Sequence, residues 1–258
     1  MDLGIEGKVA MVSGGSRGLG FQAALCLARE GCRVSICARD STGLNESVKE
    51  LNGMGYEVSG ISADVATLEG ANSFYQSSME QFGRVDILVN NVGGTRGGRD
   101  FDNVTDQDWW DTIELNLMSA VRLTRMVVPG MKNSNWGRIV NVASIWGREY
   151  GGGPTYMTAK AALIAFSKHM AITLAPYGIL VNSVAPGSIQ FPGGSWDRFV
   201  NNNTEGVVRE FIANQLPMGK FGWPEPVGDM IAYLCSDVVG MVTGTSINVD
   251  GGQSHSLI

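Results

Sequence analysis

The sequence predicts an α/β fold: a doubly wound parallel sheet with helices on both faces. Three observations predict it. Short runs rich in Val and Ile alternate with longer stretches of helical periodicity. Most of these runs are continuously apolar, as strands covered on both faces are. No low-complexity linker or break in composition interrupts the 258 residues, so a single domain over 1–258 is expected.

The elements follow in order. VAMV (9–12) reads as the first strand. GFQAALCLARE (20–30) places apolar residues at i, i+3 and i+4, and Gly31 follows as a helix-ending glycine. RVSIC (33–37) and EVSGIS (57–62) read as strands, and TLEGANSFYQSSMEQF (67–82) as a helix closed by Gly83. VDILVN (85–90), RIVNVA (138–143), ILVNSVA (179–185) and SINVD (246–250) complete the strands. Between them lie two long helices, WWDTIELNLMSAVRLTRMVV (109–128) and YMTAKAALIAFSKHMAITLA (156–175), apolar around much of their circumference. Residues 188–222 mix Gly, Pro and Asn and read as an irregular excursion, a mobile substrate lid.

Composition narrows the function. Hydrophobic residues make up 44% and charged residues 17%, a globular balance. A net charge of −6 argues against a nucleic-acid surface. No run is long enough to span a bilayer and the N-terminus carries no signal-peptide pattern, so a cytoplasmic protein without a membrane partner is expected. Cys26, Cys32, Cys37 and Cys235 form no C-x-x-C pair and read as buried free thiols. The two histidines, His169 and His255, lack nearby ligands, so no metal site is expected.

SGGSRGLG (13–20) follows the first strand and opens the first helix. Gly14, Gly18 and Gly20 let the chain turn sharply, approach a pyrophosphate and pack helix against strand. The helix N-terminus then offers free N–H groups to phosphate. This context makes the sheet Rossmann-type and the ligand a dinucleotide. At the end of the second strand, SICARD places Arg39 before Asp40. Arg17 and Arg39 favour the 2′-phosphate of NADP(H), since guanidinium suits phosphate oxygens. In the competing reading Asp40 takes the 2′-OH of NAD(H).

A further set of markers stands in order: NNVG (90–93), Asn116 in ELNLMS, Ser144 in NVASIWG, YMTAK (156–160) and APG (185–187). With the glycine loop they resemble the short-chain dehydrogenase/reductase family over nearly the whole chain, within it carbonyl reductases of the 3-oxoacyl-carrier-protein type. The resemblance implies a catalytic tetrad of Asn116, Ser144, Tyr156 and Lys160. It places the cofactor along Ser13, Gly14, Ser16, Arg17, Gly18, Leu19 and Gly20, against Arg39, Asp64 and Val65, past Asn91 and Gly93, and at Tyr156, Lys160, Pro186, Gly187 and Ile189. It also implies a homotetramer, with a dimer as the alternative. The sequence departs from the family at Ser13, where Thr is frequent, and at Val92, where Ala is usual. It departs again at Phe191, where a Thr commonly helps hold the nicotinamide end.

Residue chemistry agrees with those roles. Tyr156 and Lys160 are i and i+4 on one helix face. A phenol titrates near about 10, and a cation nearby lowers it by roughly 1–3 units toward working pH. Three loops, 93–100, 145–153 and 188–199, are expected to meet beyond the strand ends. There Trp146, Tyr150, Phe191 and Trp196 would wall a substrate pocket, and Arg96, Arg99 and Arg148 would meet an anion. The leading expectation is an NADP(H)-dependent oxidoreductase acting on a ketone or β-ketoacyl carbonyl. The alternatives are an NAD(H)-dependent hydroxy-sterol or sugar dehydrogenase, and a dinucleotide-binding regulatory protein without turnover.

Overall fold

The computed structural model describes residues 1–257. Seven strands form one sheet: β1 (Val9–Ser13), β2 (Arg33–Ala38), β3 (Val58–Ser62), β4 (Ile87–Asn90), β5 (Gly137–Val142), β6 (Ile179–Pro186) and β7 (Ser246–Val249). Their order is β3-β2-β1-β4-β5-β6-β7 and every pair is parallel. The chain moves outward from β1 to β3, returns to β4 and then moves outward to β7. The expected strands therefore appear in the expected places, and the order reverses between β1 and β4.

Continuous apolarity of the strands has a direct cause. Ala10 and Val12 of β1 face one core layer, with α1 (Gly18–Arg29) and α9 (Pro224–Cys235). Met11 of the same strand faces the other layer, with α3 (Leu68–Phe82) and α5 (Ser119–Ser134). Successive side chains leave a strand on opposite faces, so two buried faces require an unbroken apolar run. Each side chain fully buried here contributes roughly 1.5–3 kcal/mol of transfer free energy.

Helix ends follow local chemistry. Gly31 and Gly83 sit at φ 81° and 73°, left-handed positions that stop α1 and α3. The Thr67 hydroxyl caps α3 by accepting from Gly70 N at 3.0 Å. α6 (Pro154–Leu174) starts with Pro at its first position, where no N–H is needed. The four cysteines are buried and unpaired, and burial pushes the Cys26, Cys32 and Cys37 thiols up to about 12. No helix among the described residues is long and apolar enough to cross a membrane.

Two elements differ from the sequence expectation. Residues 109–128 are not one helix. α4 (Asp106–Ile113) begins at a capping box between Thr105 and Asp108, and a π turn, Glu114–Met118, separates it from α5. The turn inserts extra chain where the Asn116 amide reaches back to Thr112 O at 2.8 Å. Residues 188–222 are not irregular either. They form α7 (Ser195–Asn202) and α8 (Glu205–Gln215). These fold around Trp196, Phe199, Phe211 and Phe221, whose neighbouring ring centroids lie 4.8–5.7 Å apart.

A buried polar chain crosses the centre of the sheet. Asn90 Nδ2 donates to Asn141 Oδ1 at 2.8 Å, and Asn141 Nδ2 donates to Ser167 Oγ at 2.7 Å. Ser183 Oγ joins at Ser167 Oγ, 2.9 Å away. It ties β4, β5, β6 and α6 together where no water can substitute. Asn141→Leu takes from the buried Asn90 amide its 2.8 Å acceptor, while Ser167 Oγ keeps Leu163 O and Ser183, so the cost is that of one stranded donor, roughly 1–3 kcal/mol. Urea unfolding should show a loss in that range. A change below about 0.5 kcal/mol, the scatter of an ordinary surface substitution, would refute the role.

Candidate active site

Divergence of the chain at β1 and β4 leaves a crevice beyond the strand ends, as the order reversal requires. The crevice is a cavity of about 1060 Å³. The glycine loop and Arg39 line one end, Ser144, Tyr156 and Lys160 its floor, and Trp146 and Trp196 the other end.

The glycine loop is built by close approach. A Cβ on Gly20 would lie 2.1 Å from Gly14 O, so only glycine lets α1 start so near the turn. The N-terminus of α1 carries no side-chain cap and no acid in its first turn. Its N–H groups and partial positive charge are thus open to an anion. Gly14, Ser16, Arg17 and Leu19 face the cavity. Ser13 does not. It is buried, and its hydroxyl accepts from Asn91 N at 3.0 Å and Val92 N at 3.3 Å, fixing β1 to the loop after β4. Asn91 in turn donates to Ser13 O and Gly14 O at 3.0 and 3.1 Å.

Gly18 is also shut off from the cavity. A Cβ there would meet the Phe191 ring at 2.5 Å, so the ring lies directly on the glycine loop. Arg17 Nη1 donates to Gly193 O at 3.4 Å and Arg198 Nη1 to the same oxygen at 2.7 Å. The segment 191–194 therefore straps the loop, a contact no periodicity or motif announced.

At the far end of the glycine loop, Asp40 and Arg39 separate in function. Both oxygens of Asp40 are engaged as the cap of α2 (Ser41–Gly53), accepting from Thr42 N and Gly43 N at 3.1 Å. Arg39 is exposed and is held to Asp64 by a 3.9 Å ion pair. Val65 lines the same end.

The floor assembles three elements around one amine. Lys160 on α6 is only 2% exposed, and its Nζ donates to Val142 O at 2.8 Å. Burial pushes the ammonium down to about 7. Nζ lies 5.6 Å from the centroid of the Tyr156 ring, one turn away. The Tyr156 phenol is pushed up by burial, while a hydrogen bond with Ser144 pulls it down. The sequence reading had Lys160 lowering the phenol. Here burial acts on both groups, opposes both charged forms and is the dominant cause. Ser144 lies two residues beyond the end of β5, and its Oγ accepts from Trp146 N at 3.2 Å.

Asn116 stands behind this floor and does not face the cavity. Its Oδ1 accepts from Gly94 N at 3.1 Å, and its Nδ2 donates to Gly94 O at 2.7 Å. Both hydrogens of the amide are spent, on Gly94 O and Thr112 O. It pins the loop so closely that a Cβ on Gly93 would lie 2.9 Å from both Asn116 Oδ1 and Lys160 Nζ.

On the substrate side, the edge of Trp146 meets Tyr156 at 6.4 Å between centroids, and Trp196 follows at 6.3 Å. Arg99 lies over Trp146, 5.9 Å from its ring centroid. Two expectations fail here. Tyr150 is 94% exposed and outside the cavity, because the following glycines turn beneath Trp146 and leave no apolar surface for it. Arg148 is also outside, its Nη1 donating to Ser246 O of β7. Arg198 and Phe199, which no sequence motif marked, line the cavity instead. Pro186, Gly187 and Ile189 complete its wall.

Known proteins resemble this chain in sequence and fold. A family model described as enoyl-(acyl carrier protein) reductase matches residues 14–254. The 3-oxoacyl-[acyl-carrier-protein] reductase FabG of Pseudomonas aeruginosa is 34% identical over 255 residues, covering 98% of this chain and 100% of that protein. The crystal structure of L-sorbose reductase from Gluconobacter frateurii, complexed with NADPH and L-sorbose, superposes with a TM-score of 0.93 at 34% identity and covers 100% of both chains. An actinorhodin polyketide ketoreductase variant solved with NADPH superposes with a TM-score of 0.91 at 34% identity, covering 96% of this chain and 98% of that one. The chain is an oxidoreductase of the short-chain dehydrogenase/reductase family.

Proposed function

We propose that the protein is an NADP(H)-dependent carbonyl reductase that works on a ketone or β-ketoacyl group and runs in reverse on the alcohol. The observation that carries this reading is the cavity itself: Ser144, Tyr156 and Lys160 converge at one end and Arg17 and Arg39 stand at the other. The residues fit the cofactor. An uncapped helix N-terminus receives the pyrophosphate, Arg39 and Arg17 the 2′-phosphate, and the backbone at Ile189 the carboxamide. When bound there, a nicotinamide cofactor would supply hydride-transfer chemistry.

The chain's own residues handle the oxygen. Ser144 accepts from Trp146 N, and its hydroxyl, which bonds the Tyr156 phenol, would turn its proton to the substrate oxygen. Tyr156, held neutral by burial, is the proton donor in reduction. In oxidation the phenolate form of Tyr156 takes the alcohol's proton and becomes the phenol, and Lys160 in its protonated form favours that phenolate. Asn116 positions Gly93 and so shapes the wall against Lys160. Helices α7 and α8 act as the lid over Trp146 and exclude water.

The relatives named above share 34% identity with this chain, yet one is named for an acyl-carrier thioester and another for a sugar. Substrate choice then follows from the cavity, where Trp146, Trp196 and Phe199 favour an apolar or planar group beside the carbonyl.

Preference for NADPH rests on Arg39 being loosely held while Asp40 is occupied as a cap. Arg39→Asp removes a charge-assisted phosphate contact, which should lower kcat/KM for NADPH by roughly tenfold to a hundredfold and leave NADH little changed. Higher kcat/KM with NADH than with NADPH in the wild type would refute the preference.

Tyr156→Phe keeps the ring and removes the proton, so kcat should fall by about 10²–10⁴ while NADPH binding by fluorescence persists. A variant turning over within about threefold of wild type, well outside that range, would end the assignment.

Lys160 also makes a pH prediction. Its ammonium titrates at about 7 in the folded protein, against about 10.4 when unfolded. Between those values the unfolded chain binds more protons, so this group's burial cost is full below the window and fades as pH rises through it. Tyr156, the neighbouring titratable group, is pushed above its ordinary value by burial. Lys160→Met removes the lysine's contribution, so its Tm gain over wild type should be larger at about pH 6 than at about pH 9.5. Equal Tm differences at both would contradict the burial effect.

A further inference from the structure

The stretch Gly187–Ile189 is clamped from two sides. On one side Gly222 N donates to Ser188 O at 3.0 Å, and Gln190 N donates to Gly222 O at 2.9 Å. Peptide groups alternate in direction along an extended chain, so the N–H and C=O of Ile189 itself point away from Gly222. Ile189 itself lines the cavity.

On the other side stands a turn after β7. The Asp250 carboxylate accepts from Gly252 N at 3.0 Å and Ser254 N at 2.8 Å and folds 250–254 into a compact loop. This aims the buried side chain of Gln253 at Ser188. Gln253 Oε1 accepts from Ser188 N at 2.7 Å, and Gln253 Nε2 donates to Ser188 Oγ at 2.9 Å. The contact has no slack: a Cβ on Gly187 would lie 2.6 Å from Gln253 Oε1 and 2.8 Å from Asp250 Cβ. Two residues on, His255 N donates to Glu149 Oε2 at 2.8 Å, so the same segment also holds the loop that carries Trp146.

We infer that Gln253 is a positioning residue for the cofactor: its amide fixes the N–H and the Oγ of Ser188 and thereby aims the peptide groups of Ile189 at the nicotinamide carboxamide. Gln253 itself does not face the cavity. The demand on it is raised by Phe191, whose ring lies on the glycine loop and offers no hydroxyl to the nicotinamide end. Backbone geometry at Ile189 then carries that contact. The inference rests on the dinucleotide reading above, but not on turnover.

The test compares whole and half cofactors on the full chain. Wild type, Gln253→Met and Gln253→Glu are titrated with NADPH and NADH, and with 2′,5′-ADP and ADP, which lack the nicotinamide. Gln253→Met should weaken whichever dinucleotide the wild type prefers by about tenfold, the worth of one or two hydrogen bonds, and leave its adenosine half unchanged. Gln253→Glu keeps an oxygen for Ser188 N and should restore most of the affinity. A Gln253→Met protein that binds the dinucleotide like wild type, or loses both halves equally, overturns the inference. So does a Gln253→Glu protein as weak as Gln253→Met. A wild type that binds neither dinucleotide overturns the cofactor reading, and the inference with it.

Discussion

The floor of the site is organised by the burial of one amine. Lys160 sits 2% exposed among apolar neighbours with its Nζ on Val142 O. A buried ammonium is tolerable only where it is paired or neutralised, and here its affinity for the proton falls to about 7. Everything beside it is small or already satisfied. Gly93 has no Cβ because one would strike Nζ, and the amide of Asn116 is turned away onto Gly94 and Thr112. The π turn at Glu114–Met118 follows from the same demand, since it lets the Asn116 side chain bond backward and sideways at once.

The sequence revealed most of this scaffold because the scaffold obeys local rules. Val9–Ser13 and Ile179–Pro186 are buried on both faces, and an unbroken apolar run of strand length marks that environment. Gly31 and Gly83 end helices at left-handed φ, which composition alone anticipates. The spacing of Tyr156 and Lys160 places them on one face of α6, as one helical turn dictates. What stayed hidden depends on contacts between distant segments. Nothing in ELNLMS distinguishes a π turn from an α-helix, because the difference lies in Asn116 reaching Gly94, 22 residues away. Tyr150 looked like a pocket aromatic by proximity to Trp146, but the glycines at 151 and 152 reverse the chain under the indole and leave Tyr150 in solvent. Arg17 was read as a phosphate ligand, and it also grips Gly193 O across 176 residues. Gln253 carries no motif at all.

The segment 188–222 shows how tertiary packing overrides a loop-like composition. Pro192, Gly193 and Gly194 argue for irregular chain, and around them the backbone is a turn. Beyond them Trp196, Phe199 and Phe211 recur at spacings that place them toward one another on α7 and α8, and Phe221 closes the cluster. Aromatic pairs at these separations add about 0.5–1.5 kcal/mol each beyond the area they bury. Two short helices that would not persist alone are held by that cluster.

Charge in the cavity runs against charge in the chain. The protein carries a net −6, yet five arginines line the cavity against two aspartates: Arg17, Arg39, Arg96, Arg99 and Arg198 against Asp40 and Asp64. Asp40 is occupied as a helix cap and Asp64 is paired with Arg39, so neither offsets the field at the substrate end. An acidic surface surrounding a cationic cleft focuses potential inward and raises the local concentration of anionic ligands. Arg39 and Arg17 stand beside the glycine loop, and Arg198 meets Arg17 at Gly193 O. Arg96 and Arg99 line the cavity beyond them, with Arg99 over the indole that contacts Tyr156. Positive charge at that end of the cavity thus adjoins aromatic surface next to Tyr156.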